Sequence, residues 1–338
     1  MPCPAPLEST AATEPWLSVL MPTYNGARYV ATALESVAAQ VDDCPRGSAG
    51  LEVIVVDDGS TDATPAIVAS FADRLPLRIV ATPRTGNWAA NTNLALAQSR
   101  GRYIGFLHQD DCWLPGRLVR LHAALASHAQ ADPALVVHPA RFIDASGRPL
   151  GTWRCPLPKT GGLVDAETVV ARLLVQNFLA IPAPLFRRDA VVQVGGFDEN
   201  LWYAADWDLW LKLAALGPCL YVPEPLACFR VHSLSQTASR TANSVEFRRQ
   251  LEVVLQRHLS SARQAHAGNG RRLARVAQFS IDVNTALAAA SHGGPLRLTA
   301  LTWRGLLLGP WGWWQYWRDS RIGERAGARL RARKDSGE

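Results

Sequence analysis

Over the N-terminal third of the chain, short apolar runs stopped by polar turns alternate with amphipathic stretches. Residues 16–21, Trp-Leu-Ser-Val-Leu-Met, form an apolar run ended by Pro22, the pattern of a buried strand. From about Arg28 to Gln40, Val30, Ala33, Leu34, Val37 and Ala38 share one face of a helix. A loop rich in Gly, Pro and Asp precedes a second strand, Leu51 to Val56, which ends in the polar turn 57–62, Asp-Asp-Gly-Ser-Thr-Asp. A helix to about Asp73, a third strand from Leu77 to Ala81, a helix from Asn91 to Gln98 and a fourth strand from Tyr103 to Leu107 follow. This alternation predicts an α/β fold with a mostly parallel sheet covered on both faces.

Beyond about Leu125 the rhythm loosens. Strands are expected at Ala134–Pro139 and Pro184–Arg187, and a helix over Asp165–Gln176. The stretch Asp206–Leu216 is apolar nearly all round and reads as a buried helix. Residues 240–290, rich in Ala, Arg and Leu, read as helical, and residues 1–14 as a disordered lead.

At 338 residues and 48% hydrophobic, the chain has enough apolar material for one large α/β domain with an appendage. The six cysteines form no CxxC pair, which argues against a cysteine zinc site and a disulfide framework and for reduced thiols. The N-terminus lacks the basic and apolar regions of a signal peptide. The best membrane-spanning candidate, Leu298–Trp317, is interrupted by Arg304, Pro310, Gly312 and Gln315. A cytoplasmic location is expected. The formal charge of +6 is uneven: residues 240–338 carry 17 Lys and Arg against 7 Asp and Glu, residues 1–239 carry 18 against 22. A basic tail behind an acidic body suits an anionic partner.

The polar clusters stand just after predicted strands: 22–25 (Pro-Thr-Tyr-Asn), Asp57 and Asp58, and Asp110 and Asp111. Open α/β sheets bind ligands at the carboxyl ends of their strands, so these loops are expected to converge on one pocket. Adjacent carboxylates at a strand end supply hard oxygen ligands for a divalent cation. Each cluster also has a plainer reading, as a capped turn or helix start.

Together with residues 101–111 (Gly-Arg-Tyr-Ile-Gly-Phe-Leu-His-Gln-Asp-Asp), 195–199 (Gly-Gly-Phe-Asp-Glu), 205–211 (Ala-Asp-Trp-Asp-Leu-Trp-Leu) and 229–232 (Phe-Arg-Val-His), these motifs resemble the bacterial family 2 glycosyltransferases of GT-A fold, in order, over about residues 16–235. The resemblance implies a GT-A catalytic domain over 15–238, with a nucleotide-sugar half (15–125) and an acceptor half (126–238), followed by a helical, basic, Trp-rich region (239–338). It implies an inverting transfer of a sugar from a nucleotide diphosphate donor, UDP-sugar favoured, to an acceptor hydroxyl in cell-surface glycan assembly.

Its site residues carry over as follows. Asp206 is the catalytic base; its plainer reading is a cap on a buried helix. Pro22, Thr23, Tyr24, Asn25, Asp57, Asp58, Asn87, Asn91, Gln109, Asp110 and Arg230 line the donor. Asp110, Asp111 and His232 hold Mn²⁺ or Mg²⁺. Two positions depart from the family pattern: His108 where Asp is usual, and Ala205 where Glu is usual.

In the tail, Trp303, Trp311, Trp313, Trp314, Tyr316 and Trp317 stand among arginines, the composition of a membrane-interface surface. Peripheral contact with the anionic inner leaflet is expected, alongside a glycan or lipid-linked acceptor; a helical cap packed on the catalytic domain is the alternative. No nucleic-acid recognition motif is present. The competing functional classes are a nucleotidyltransferase, disfavoured by a single Gly between Thr23 and Arg28, and a non-catalytic sugar-nucleotide binding protein.

Overall fold

The computed structural model describes residues 14–44, 47–232, 243–265, 269–293 and 298–336; of the lead expected over 1–14, only Glu14 is among them. Strand β1 (Leu17–Thr23), helix α1 (Val30–Ala38), β2 (Leu51–Asp57), α2 (Thr64–Ala69), β3 (Leu77–Ala81), α3 (Trp88–Gln98) and β4 (Tyr103–Phe106) follow the expected alternation. β1 and β2 are buried at every position because both faces of the sheet are covered. Alternate side chains serve opposite layers. Leu17, Val19 and Met21 of β1 pack with Val30, Leu34 and Val37 of α1, whereas Leu20 joins Ile54, Val56 and Leu96 on the other face.

The second half supplies β5 (Cys112–Trp113), α4 (Arg117–Ser127), β6 (Leu135–Val137), β7 (Ala140–Ile143), β8 (Pro149–Trp153), β9 (Gly162–Val164), α5 (Ala166–Val175), β10 (Leu185–Arg187), α6 (Arg188–Gln193), α7 (Ala205–Ala214), β11 (Cys219–Tyr221) and β12 (Ala227–Arg230). The main sheet runs β3-β2-β1-β4-β10-β6-β11-β9. It is mixed rather than mostly parallel. β3, β2, β1 and β4 pair in parallel, but β10 lies antiparallel to both β4 and β6. A second sheet, β5-β12-β7-β8, which the sequence does not announce, carries β12 beside the end of β4.

Residues 240–290 form two long helices, α8 (Ser244–Ala265) and α9 (Gly270–Ser291), followed by α10 (Leu298–Leu306), α11 (Gly309–Ser320) and α12 (Ile322–Ser336). α8 and α9 pack against α5 and each other, and α8 also meets α7. The helical cap is thus present: Trp313 and Tyr316 pack edge-on against Phe279 of α9 at 5.4 and 5.0 Å. No helix among the described residues is long and apolar enough to cross a membrane.

Candidate active site

One cleft of about 1120 Å³ opens at the carboxyl ends of β1, β2 and β4, and Asp58, Asp110 and Asp206 all line it. Its first wall is built where β1 and β2 leave the sheet. Their register sets Thr23 opposite Asp57, and the Thr23 hydroxyl donates to Asp57 Oδ1 at 3.1 Å. Asp57 also accepts from the Ser60 amide and hydroxyl at 3.0 and 2.6 Å. Gly59, at φ +71°, lets this turn pass close to the backbone of Arg84. Asn25 ties the two loops together by accepting from the Thr61 amide at 2.8 Å. Asn25 and Asp57, expected on the donor, therefore hold the loops and do not reach the cleft. Asn87 is likewise turned away: it caps α3 through Ala89 and Ala90 and donates to the Glu199 carbonyl at 3.0 Å.

Pro22, Thr23, Tyr24, Asp58, Asn91, Gln109, Asp110, Asp111, Arg230 and His232 do line the cleft. Asp58 is 3% exposed and accepts from the Thr85 amide (2.6 Å), the Thr85 hydroxyl (2.8 Å), the Gly86 amide (2.9 Å) and the Arg84 guanidinium. Burial alone would raise its pKa, but the Thr85 and Gly86 donors outweigh it and hold the carboxyl below its ordinary value. The Arg84 guanidinium lies 3.6 Å from the centroid of the Tyr24 ring. Arg84 thus bridges Tyr24 and Asp58, covering the aromatic ring and capping the carboxylate. Gln109 fixes Tyr24 by exchanging two hydrogen bonds with its backbone, at 2.8 and 3.0 Å.

The second wall joins β4 to β12. Asp110 Oδ2 lies 3.0 Å from His232 Nε2. Burial pushes the Asp110 carboxyl up, but the His232 hydrogen bond and the nearby imidazoles bring it below its ordinary value. Asp111 points the other way. Its Oδ1 accepts from the Arg230 amide at 2.9 Å, it is 2% exposed, and burial together with the Asp110 charge pushes it well above the carboxylate range. The expected three-ligand set is therefore corrected: no group of three metal-ligating side chains exists among the described residues. Asp110 and His232 do fit a hard divalent cation, since Mn²⁺ and Mg²⁺ accept oxygen and imidazole ligands and leave positions for phosphate and water. His108 Nε2, buried beside them without a hydrogen-bond partner among the described residues, faces the Trp88 ring edge-on at 5.4 Å. Burial lowers its pKa, against the pull of the Asp110 charge. Arg230 is a buried strut and not a surface cation: it donates to the carbonyls of Asp110 and Asp144 at 2.8 and 2.9 Å and lies against the Tyr29 ring.

The third wall is the N-terminus of α7. Asp206 Oδ1 accepts from the Trp207 amide at 2.7 Å and Oδ2 from Asn177 Nδ2 at 3.0 Å. Burial raises its pKa to about 6, against the pull of these two donors. Asp208 leaves the cleft. Fully buried, it takes Lys212 Nζ (2.7 Å) within α7, and Arg257 Nη1 (2.9 Å) and His258 Nε2 (2.8 Å), which fasten α8 to α7. Residues 176–177, Tyr203 and the walls from α9 and α12 escaped the sequence reading, because their partners lie far along the chain. The Asn at 177 directly after a helix was the one local signal.

Residues 18–164 match the family model described as glycosyl transferase family 2. The chain is 27% identical over 234 residues to an uncharacterized glycosyltransferase of Rickettsia prowazekii, covering 69% of each chain. It is 30% identical over 225 residues to an uncharacterized Mycobacterium tuberculosis protein, covering 64% of this chain and 59% of that one. Its fold is similar to Staphylococcus aureus TarS in complex with UDP-GlcNAc (TM-score 0.56, 20% identity, 94% and 92% of the chains). It is also similar to the mannosyltransferase PcManGT of Pyrobaculum calidifontis in complex with GDP-Man and Mn²⁺ (TM-score 0.53, 21% identity, 96% and 89%). Residues 18–164 thus carry the match to glycosyl transferase family 2, and the chain shares the GT-A fold of these neighbours.

Proposed function

We propose that this glycosyltransferase transfers a sugar from a UDP-sugar to an acceptor hydroxyl with inversion, using Asp206 as base. The observation that carries the reading is the shared cleft, in which Asp58, Asp110 and Asp206 occupy three walls. We place the uracil at Tyr24, Asp58 and Arg84, where it takes the position of the Arg84 guanidinium over the Tyr24 ring and its imide N–H replaces that guanidinium as a donor to Asp58. The TarS neighbour's UDP-GlcNAc complex supports this base, and the GDP-Man and Mn²⁺ of PcManGT support a cation-bound diphosphate. Asp110 and His232 would hold the cation. When bound, it supplies Lewis-acid charge to the departing diphosphate.

Asp206 takes the proton of the acceptor hydroxyl as its oxygen forms the bond to the anomeric carbon. The bond from that carbon to the diphosphate oxygen breaks, and UDP leaves with the electron pair. A single displacement suits the carboxylates of the cleft. Asp58 is held by residues 84–86, Asp110 by His232, Asp111 by the Arg230 amide and Asp144 by its own turn, so each is committed away from nucleophilic attack. We assign the transfer to cell-surface glycan assembly, the role that the family resemblance implies.

A thermal-shift screen tests the donor. UDP-sugars with Mn²⁺ are expected to raise Tm more than UDP-sugars alone, and Asp110→Asn to remove the Mn²⁺-dependent part. A response to GDP-sugars only would overturn the base assignment, and a response to ATP or NAD only would overturn the whole reading.

We also assign the exposed aromatics of α10 and α11 to the membrane interface. Trp303, Trp311, Trp314 and Trp317 are 58–71% exposed, and the last three recur every third residue opposite the buried Tyr316. Arg318 lies 4.5 Å from the Trp314 ring. Such rings with flanking cations sit at the headgroup level of anionic bilayers. Replacing these four tryptophans by Ser is expected to weaken co-sedimentation with anionic vesicles by at least about tenfold, since aromatic burial and lipid charge act together. Unchanged co-sedimentation would refute the assignment.

A further inference from the structure

Beyond Asp206 the cleft is closed by α9 and α12, and its lining there includes two arginines, Arg325 and Arg329. Arg318 and Arg321, their neighbours on the chain, are neutralised by Asp319 at 2.6 Å and by Glu324, and Glu324 also takes Arg154 at 3.0 Å. Arg325 and Arg329 have no carboxylate partner among the described residues. Arg325 Nη2 donates to Asn284 Oδ1 at 3.0 Å, while its Nη1 is buried with no hydrogen-bond partner among the described residues. Burial and the like charge of Arg329 lower the Arg325 pKa to about 10. A guanidinium nitrogen buried without an acceptor, as Nη1 of Arg325 is, is unfavourable unless an anion completes it, and Arg329 stands beside it as a second cation.

A polar chain connects this pair to the base. Asn284 Nδ2 donates to Gln176 Oε1 at 2.7 Å, Gln176 adjoins Asn177, and Asn177 donates to Asp206 at 3.0 Å. Tyr203 stands among the three charges, its pKa raised by burial and by Asp206 and opposed by Arg329 and Arg325. Arg325 and Arg329 therefore share the cleft with Asp206, and Arg325 is joined to it through polar side chains. The donor's diphosphate is accounted for at Asp110 and His232, on another wall.

We infer that Arg325 and Arg329 form an oxyanion subsite for a phosphoryl group carried by the acceptor, placed so that a hydroxyl of the same acceptor reaches Asp206. This rests on the functional reading above. Guanidinium forks match phosphoryl oxygens with paired, charge-assisted hydrogen bonds, and the free Nη1 of Arg325 is such a donor. The phosphoryl group could belong to a lipid phosphate or to a phosphodiester glycan; the chemistry recognised is the same.

The test uses the full chain with the donor site filled by UDP and Mn²⁺, so that added phosphate reports on a separate place. Inorganic phosphate is titrated against chloride at matched ionic strength, and Tm is followed. The wild type is expected to show a phosphate-specific rise. Arg325→Gln and Arg329→Gln are each expected to weaken it about tenfold, the loss of one charge-assisted contact. Arg329 is exposed, so its substitution tests the subsite without disturbing packing, and the UDP response of every variant reports that it is folded. Competition by an isoprenyl phosphate better than by glycerol phosphate assigns a lipid-linked acceptor; equal competition assigns a phosphodiester glycan. No phosphate-specific rise, or a rise unchanged in both variants, overturns the subsite. Failure of UDP to bind wild type would instead sink the donor reading, so the two failures are told apart.

Discussion

Replacing Asp206 with Asn is expected to lower kcat by about 10²–10⁴-fold, the contribution of a positioned general base, while donor affinity stays near that of the wild type. The carboxylate is the reactive form, and burial sets its pKa at about 6. In the wild type kcat is therefore expected to rise with pH through about 6 and then level, and in the variant this limb disappears. Asn177→Ala removes a hydrogen bond that favours the charged carboxylate, so the limb moves to higher pH. The stability sign runs opposite to activity. A carboxyl whose folded pKa lies above its unfolded one stabilises the fold at low pH, and that contribution is lost as pH rises through about 6. Asp206→Asn is thus expected to leave Tm at pH 7 unchanged or raised, the trade between activity and stability seen where a buried charge is kept for chemistry. A fall in Tm matching the loss of kcat would assign Asp206 to the helix cap alone.

Asp208→Ala, two residues away, is expected to show the reverse: a loss of about 3–5 kcal/mol in stability, the cost of removing one partner from a buried charge cluster. Lys212, Arg257 and His258 would be left facing one another around an apolar methyl. Burial would raise the Asp208 pKa, but these partners bring it down to about 2. A depressed carboxyl stabilises the fold above its unfolded pKa, and the contribution is lost as pH falls through about 2. Asp208→Asn keeps some of the hydrogen bonds and is expected to fall between. Urea unfolding at pH 7 measures both, and the wild-type advantage should shrink in acid. Equal midpoints for Asp208→Ala and wild type would show that α8 is held by apolar packing alone.

The two aspartates illustrate what the chain discloses by itself. β1, β2 and β4 are legible because strands buried on both faces read as continuous apolar runs, and the polar residues that follow them stand at the sheet edge. Which member of a carboxylate pair enters the cleft is less legible. Asp58 enters and Asp57 does not, because successive side chains at the end of a strand diverge, whereas Asp110 contacts His232 and Asp111 turns to the Arg230 amide because a turn closed by the Asp111 amide on the His108 carbonyl sets them apart. Asn87, expected on the donor, caps α3 instead, because the first amides of that helix need an acceptor. The strand β10 is expected from the sequence, but its antiparallel pairing, like the two-residue β5, depends on distant strands and leaves no local signal. The same holds for the polar chain from Gln176 to Asn284, whose members are 108 positions apart.

The account depends on one cleft with divided labour among its carboxylates. Calorimetric titration of UDP in Mn²⁺ tests it most directly on four proteins: wild type, Asp58→Ala, Asp110→Ala and Asp206→Asn. Wild type and Asp206→Asn should bind alike, while Asp58→Ala and Asp110→Ala should each weaken binding by at least about tenfold, as expected for loss of a charge-assisted contact. UDP binding that is indifferent to both Asp58 and Asp110 would contradict the account.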